Sequence, residues 1–286
     1  MPSISSPVSV ELFPHDSVKE NRFDLPITPR HAKAVQNQGK VYLVGAGTGD
    51  PELLTIKAYK TILQADVICY DNLVSDEILA LNTTAEKIYV GKKCHKHSMS
   101  QQNINGLLVT LAQQGKTIVR LKSGDPFIFG RGGEEMQTVI GAGVACESIA
   151  GITTALAVAN SVNIPLTHRD YAQSVKFVTG FLKADTPNEQ YAELLADNQT
   201  VVFYMGLNTL PNLTQGLLQA GKSADTPFAI IANVSRHNEQ VLVGTLSTIQ
   251  ALQNDAKLPS PAVMIMGDVV SLYHQLNAPT LTYAAL

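Results

Sequence analysis

The stretch "KSGDPFIFGRGGEE", residues 122–135, crowds four glycines, an arginine and three carboxylates into one turn-prone segment. Gly124 and Asp125 can set backbone amides and a carboxylate beside a cofactor, while Arg131 offers a planar fork to a substrate carboxylate. Gly130, Gly132 and Gly133 let the backbone lie flat against something large. Glu134, three residues after Arg131, can orient it, and with Glu135 it opens a helix whose N-terminus favours negative charge. Phe127 and Phe129 are expected to pack beneath the loop.

A related turn, "GAGTGDP" at 45–51, follows the first strand. A dinucleotide fingerprint needs a third glycine where Asp50 stands, and a carboxylate there would face the pyrophosphate. The turn therefore suits a ligand without phosphates, unless Asp50 simply caps a helix that begins at Pro51. Because "GDP" recurs at 124–126 after the fourth strand, two strand ends should offer Gly-Asp turns at one sheet edge, where open α/β sheets bind ligands.

Two further groups carry charge. "KIYVGKKCHKHS", 87–98, includes Lys92 and reads as a basic lip for a polyanionic substrate; Cys94, His95 and His97 lack the spacing and partners of a metal site. "LTHRD", 166–170, contributes His168 and Arg169. Asp71, at the end of the second strand, can be a ribose-binding acid, a general base or a turn residue, and spacing alone does not choose.

The elements that must hold these residues alternate. Strands are expected at 40–46, 66–71, 87–91, 117–122 and 145–149 with helical periodicity between them, which means a parallel sheet covered on its faces. A helix is expected at 152–161. Runs at 174–180, 200–206, 227–234, 240–246 and 261–270 predict a second, mixed sheet whose last three strands form hairpins. The reading is an extension over 1–39, an α/β domain over 40–166, a second over 167–276 and a tail over 277–286, with a ligand cleft between the domains.

Composition sets the outer bounds. With 286 residues, 45% hydrophobic, 16% charged and a net charge of −3, the chain is an ordinary globular one and lacks the broad basic face of a nucleic-acid binder. Three scattered cysteines fit a reducing compartment. No run is long and apolar enough to span a membrane and no signal peptide is legible, so a soluble cytoplasmic protein is expected.

"VYLVGAGTGDPELLT", "YDNLVS", "YVGKK", "LKSGDPFIFGRGGEE", "AGITTA", "IPLTHRDYAQSV", "FYMGL" and "SPAVMIMGDVV" stand in an order that resembles the uroporphyrinogen-III C-methyltransferases, tetrapyrrole methylases of the class III methyltransferase fold. The likeness runs from about Lys40 to about Leu276. It implies a homodimer that binds S-adenosyl-L-methionine in the cleft, needs no metal, and methylates uroporphyrinogen III twice to give precorrin-2 and S-adenosyl-L-homocysteine. Precorrin-2 feeds sirohaem, cobalamin or haem d1 synthesis. By the same likeness Thr48, Ser123, Gly124, Asp125, Ile128, Thr153, Thr154, Met205 and Val234 contact the cofactor. Asp71 and Lys92 match a proton acceptor and donor, while Arg131, Glu134, Arg169 and Met205 stand on the substrate side, where His168 adds to the basic surface.

Thr48, Asn72, Ser123, Ala150 and Val234 depart from the family pattern. Where relatives carry glycine, Ser123 is expected to hold left-handed strain that glycine would relieve. The 39 leading residues are expected to be too few for the dehydrogenase and ferrochelatase module of some relatives. Competing readings are a methylase of a later precorrin, a cofactor-binding protein with weakened activity, and a dehydrogenase, which Asp50 disfavours.

Overall fold

Val41, Leu43 and Val44 are all buried, and a strand that hides both of its faces belongs in the middle of a covered parallel sheet. The computed structural model describes residues 39–91, 99–180 and 191–278. In it the first sheet comprises β1 (Lys40–Gly45), β2 (Val67–Tyr70), β3 (Glu86–Tyr89), β4 (Thr117–Lys122) and β5 (Ala145–Ile149). All pairs are parallel and the order is β3-β2-β4-β1-β5. Ile62 of α1 (Ile56–Leu63) and Ile78 of α2 (Asp76–Ala80) pack on one face with Ile68, Val119 and Leu121. Leu108 of α3 (Gln101–Gln113) and Val139 of α4 (Gly132–Gly141) pack on the other with Leu43, Val67 and Ile118. Side chains of Thr55, Ser75 and Ser100 cap α1, α2 and α3, satisfying amides that a helix start leaves without partners.

The second sheet is mixed. It holds β6 (Ser174–Thr179), β7 (Gln199–Tyr204), β8 (Pro227–Ala232), β9 (Gln240–Thr245) and β10 (Ala262–Met266) in the order β6-β7-β10-β8-β9. β6 and β7 are parallel, and the remaining pairs are antiparallel. Only β8 and β9 form a hairpin, which corrects the expectation for the last three strands. The segment after β9 carries α7 (Ile249–Ala256), and β10 then enters between β7 and β8 instead of pairing with β9. α5 (Thr154–Ser161) follows the last strand of the first sheet, yet it buries Ala155, Ala157 and Val158 against Val202, Ile231 and Val263 of the second. The opposite face is closed by Leu213 and Leu217 of α6 (Leu210–Gln219) with Ile249.

At the carboxyl edge of β1 three backbones converge. A Cβ on Gly45 would lie 2.4 Å from the Gly151 amide nitrogen, and one on Gly151 would lie 2.3 Å from the Gly124 carbonyl. No side chain fits at either place, so glycine there lets the loops after β1, β4 and β5 touch.

Candidate functional site

The two Gly-Asp turns meet. Gly47 N donates to Gly124 O at 3.2 Å and Gly124 N returns a bond to Gly47 O at 2.6 Å. Both glycines are left-handed, with φ of 65° and 69°. The two carboxylates serve the turns themselves. Asp50 accepts from Glu52 N at 2.8 Å, capping a short 3-10 turn that starts at Pro51. Asp125 accepts from Phe127 N at 2.8 Å and from Gly151 N at 3.1 Å, fastening the loop after β4 to the one after β5. Ser123 is not among the left-handed residues, so the expected strain is absent; the left-handed positions fall on Gly124, Phe129 and Arg131 instead. Its hydroxyl points toward Gly47 O at 3.5 Å.

Beyond these turns opens a cleft of about 450 Å³ between the edges of the two sheets. Thr48, Ser123, Thr154, Met205 and Val234 all line it. Gly124, Asp125, Ile128 and Thr153 are not in its lining; Thr153 approaches it through Tyr204, which is, with the two hydroxyls 2.8 Å apart. Tyr204 also accepts from Ala155 N at 2.9 Å, and burial raises its phenol pKa. The tyrosine ring lies 5.0 Å from that of Phe129. Phe127 and Phe129 remain 54% and 42% exposed, so neither is packed beneath its loop as expected. The left-handed turns at Phe129 and Arg131 carry the segment outward. Met205, also left-handed with φ 57°, presents an exposed thioether to the cleft.

Two bonds tie the rims. Thr48 donates its hydroxyl to Ser235 Oγ at 2.8 Å, and Arg236 Nη2 donates to Leu73 O at 3.0 Å.

Asp71 directly follows β2, beside a buried charge network. Its Oδ1 accepts from Leu73 N at 3.2 Å, and its Oδ2 lies 3.6 Å from Arg120 Nη2. Arg120 and Lys122, two apart on β4 and hence on one face, both reach Glu135 Oε1, at 3.2 and 2.9 Å. Gln101 adds a third bond to that oxygen at 3.0 Å. Burial, and next the neighbouring Arg120, lower the Lys122 pKa. Glu135 is therefore more than a helix-start charge: it is fully buried because that side of α4 faces the sheet. Sequence reasoning missed Arg120, Lys122, Tyr204 and Arg236. Two cations in the apolar run "TIVRLK" were the available signal for the first pair, since a buried strand seldom carries charge without a partner.

Arg131 and Glu134 form an exposed bidentate pair, Nε to Oε1 at 2.9 Å and Nη2 to Oε2 at 2.5 Å. Arg131 holds the Glu134 pKa below its ordinary value. His168 and Arg169 do not line the cleft. The His168 Nδ1 accepts from Asp170 N at 3.1 Å, and its ring stands 4.9 Å from that of Tyr171. Lys92 lies outside the described residues, as do Cys94, His95 and His97. Among the described residues no helix is long and apolar enough to cross a membrane.

A doubly wound parallel sheet joined to a mixed sheet across such a cleft is the architecture of the class III tetrapyrrole methyltransferases. The chain belongs to the Tetrapyrrole (Corrin/Porphyrin) Methylases, whose family profile matches residues 40–250. It is 54% identical over 250 residues to a siroheme synthase of Psychrobacter cryohalolentis, a match covering 87% of this chain and 48% of that protein. A siroheme synthase of Acinetobacter baylyi is 50% identical over 241 residues, 84% of this chain and 53% of the relative. The chain thus spans about half the length of the curated relatives it matches. Among solved structures, a uroporphyrin-III-C-methyltransferase from Thermus thermophilus is 38% identical with a TM-score of 0.72, covering 84% of this chain and 99% of that one. Another structure of the Thermus thermophilus enzyme, complexed with S-adenyl homocysteine, is 37% identical with a TM-score of 0.70 and covers 82% of this chain and all 100% of its own.

Proposed function

We propose that this chain transfers methyl groups from S-adenosyl-L-methionine to carbon atoms of uroporphyrinogen III, two in succession, giving precorrin-2 for sirohaem synthesis. The observation that carries the reading is the cleft, which gathers Thr48, Ser123, Thr154, Met205 and Val234 from both sheets. Apolar walls with hydroxyl groups and a thioether suit a sulfonium cofactor that carries no phosphate. The relatives' names supply the substrate class.

When bound, the cofactor supplies an electrophilic methyl group, and an electron-rich pyrrole carbon can attack it in line. The chain's task is then to orient the two ligands and collect a proton. Asp71 is the proton acceptor in this reading. Its carboxylate is held in place by the Leu73 amide and lies beside the Arg120 guanidinium. Lys92 serves as proton donor. Arg131, held in a fork by Glu134, binds a substrate carboxylate, with His168 and Arg169 adding positive surface on the substrate side. Gly124, Asp125, Ile128 and Thr153 shape the cofactor loop from behind the lining, and Met205 flanks both ligands. The working unit is a homodimer in the cytoplasm, without a metal.

A cobalt precorrin-4 methyltransferase, 26% identical with a TM-score of 0.70, keeps methylation of a later precorrin as the second reading. Labelled methyl transfer decides between them. Uroporphyrinogen III should take up label from S-adenosyl-L-methionine and a later precorrin should not; the reverse pattern defeats the assignment.

A further inference from the structure

Arg236 is the one ionised side chain among the residues that line the cleft. Its guanidinium has five N–H donors, and one bond, to Leu73 O at 3.0 Å, fixes it in place. It makes no ion pair among the described residues, whereas Arg120 and Arg131 are each paired with carboxylates. A cation in a cleft wall without a counter-ion is a ready partner for an anionic ligand group.

The backbone that presents it is unusual. Asn233 and Ser235 are both left-handed, with φ of 55° and 60°, a conformation that a serine side chain disfavours. The turn is held by four bonds: Arg236 N to Asn233 O at 3.0 Å, Ser235 N to Glu239 Oε2 at 2.8 Å, Glu239 N to Arg236 O at 2.9 Å, and Thr48 Oγ1 to Ser235 Oγ at 2.8 Å. An over-determined turn that bends a lone guanidinium into the cleft is how a pre-organised anion contact is built.

We propose that Arg236 is a binding residue for a ligand carboxylate, gripping it through the donors that Leu73 leaves free. The inference rests on the cleft holding S-adenosyl-L-methionine beside a tetrapyrrole, since both carry carboxylates. In a cleft lined otherwise by neutral groups, a ligand carboxylate with no cationic partner would forfeit its hydration without return.

The test is calorimetric, with wild type, Arg236→Gln and Arg236→Lys, titrated with S-adenosyl-L-homocysteine, with uroporphyrin III as a stable stand-in for the substrate, and with 5′-methylthioadenosine, which lacks the amino-acid carboxylate. Arg236→Gln should weaken one carboxylate ligand roughly ten- to hundred-fold, with Arg236→Lys recovering part of the loss. Loss confined to the homocysteine ligand assigns the grip to the cofactor; loss confined to the porphyrin assigns it to the substrate. In the cofactor case 5′-methylthioadenosine should bind wild type and variant alike. An equal loss for that nucleoside would make Arg236 a mere rim tie and overturn the proposal, as would unchanged affinity for both carboxylate ligands. Arg236→Ala with Asn72→Arg adds a control: Asn72 lines the same cleft one residue before Leu73, so an arginine there should restore binding. Failure of wild type to bind either carboxylate ligand would sink the proposed function itself, and this inference with it.

Discussion

Arg120 and Glu135 form a buried ion pair, Nε to Oε1 at 3.2 Å, between side chains that are 5% and 0% exposed. The same glutamate oxygen takes Lys122, and the far side of the guanidinium faces Asp71. The proposed proton acceptor is thereby tied through one arginine to a group in the core. Removing Glu135 would leave Lys122 without a carboxylate partner in the interior and Arg120 with Asp71 alone. Glu135→Ala is expected to destabilise the fold by about 3–5 kcal/mol, and Glu135→Gln by less because an acceptor remains. Urea unfolding measures both, and a cost below about 1 kcal/mol for alanine would show that the network is not held by this carboxylate.

Asp71→Asn retains an oxygen for the Leu73 amide but cannot take a proton. Turnover should fall by about a hundred-fold or more, the scale of a lost general base, while both ligands bind nearly as before. Steady-state kinetics beside equilibrium titration separates the two effects. Full turnover would remove Asp71 from the proton path.

Arg131 is already oriented by Glu134 and half exposed, so its pairing to a substrate needs little rearrangement. Arg131→Ala should weaken tetrapyrrole binding by about 1.5–3 kcal/mol and leave S-adenosyl-L-homocysteine affinity unchanged. A loss on the cofactor side would place the arginine wrongly.

Ser123→Gly now carries a different expectation from the one its sequence suggests. Ser123 is outside the left-handed region, so glycine relieves nothing; it adds freedom to the unfolded chain and removes a hydroxyl from the cleft. The variant should lose about 0.5–1 kcal/mol of stability, with no gain in cofactor affinity. Tighter cofactor binding in a calorimetric titration would reinstate the strain reading.

Glu147 accepts from Lys40 at 2.6 Å and pairs with Lys57 at 2.5 Å; the Lys40 bond first, then Lys57, pushes its carboxyl from 4.5 down to about 2. The folded value lies below the unfolded one, so the unfolded chain takes up the proton first as pH falls. The stabilisation is complete above about 4.5 and is lost between there and about 2. The stability gap between wild type and Glu147→Gln should stay level near neutral pH and shrink through that acid window. A gap that widens with acid would contradict the sign.

Much of this was legible in the chain. Ten apolar runs separated by turn residues marked the ten strands of the described residues to within a few positions, because period and punctuation are local properties. The two "GDP" turns came to one edge because β1 and β4 are parallel neighbours and present the same end. Less local matters were hidden. Glu135 directly follows Glu134 of an exposed bidentate pair, and only the packing of α4 on the sheet turns it inward toward Arg120 and Lys122. The entry of β10 between β7 and β8 depends on a helical crossover that strand spacing does not reveal. Arg236 sits in a loop of ordinary polar residues, and its place in the cleft follows from left-handed turns at Asn233 and Ser235 that neither residue type requires.

The central claim is tested by an anaerobic incubation of the purified protein with uroporphyrinogen III and S-adenosyl-L-methionine, sampled over time by mass spectrometry. The expected result is a product carrying two added methyl groups, formed through a transient species carrying one. An unchanged tetrapyrrole mass, with the intact protein still binding S-adenosyl-L-homocysteine, would contradict it.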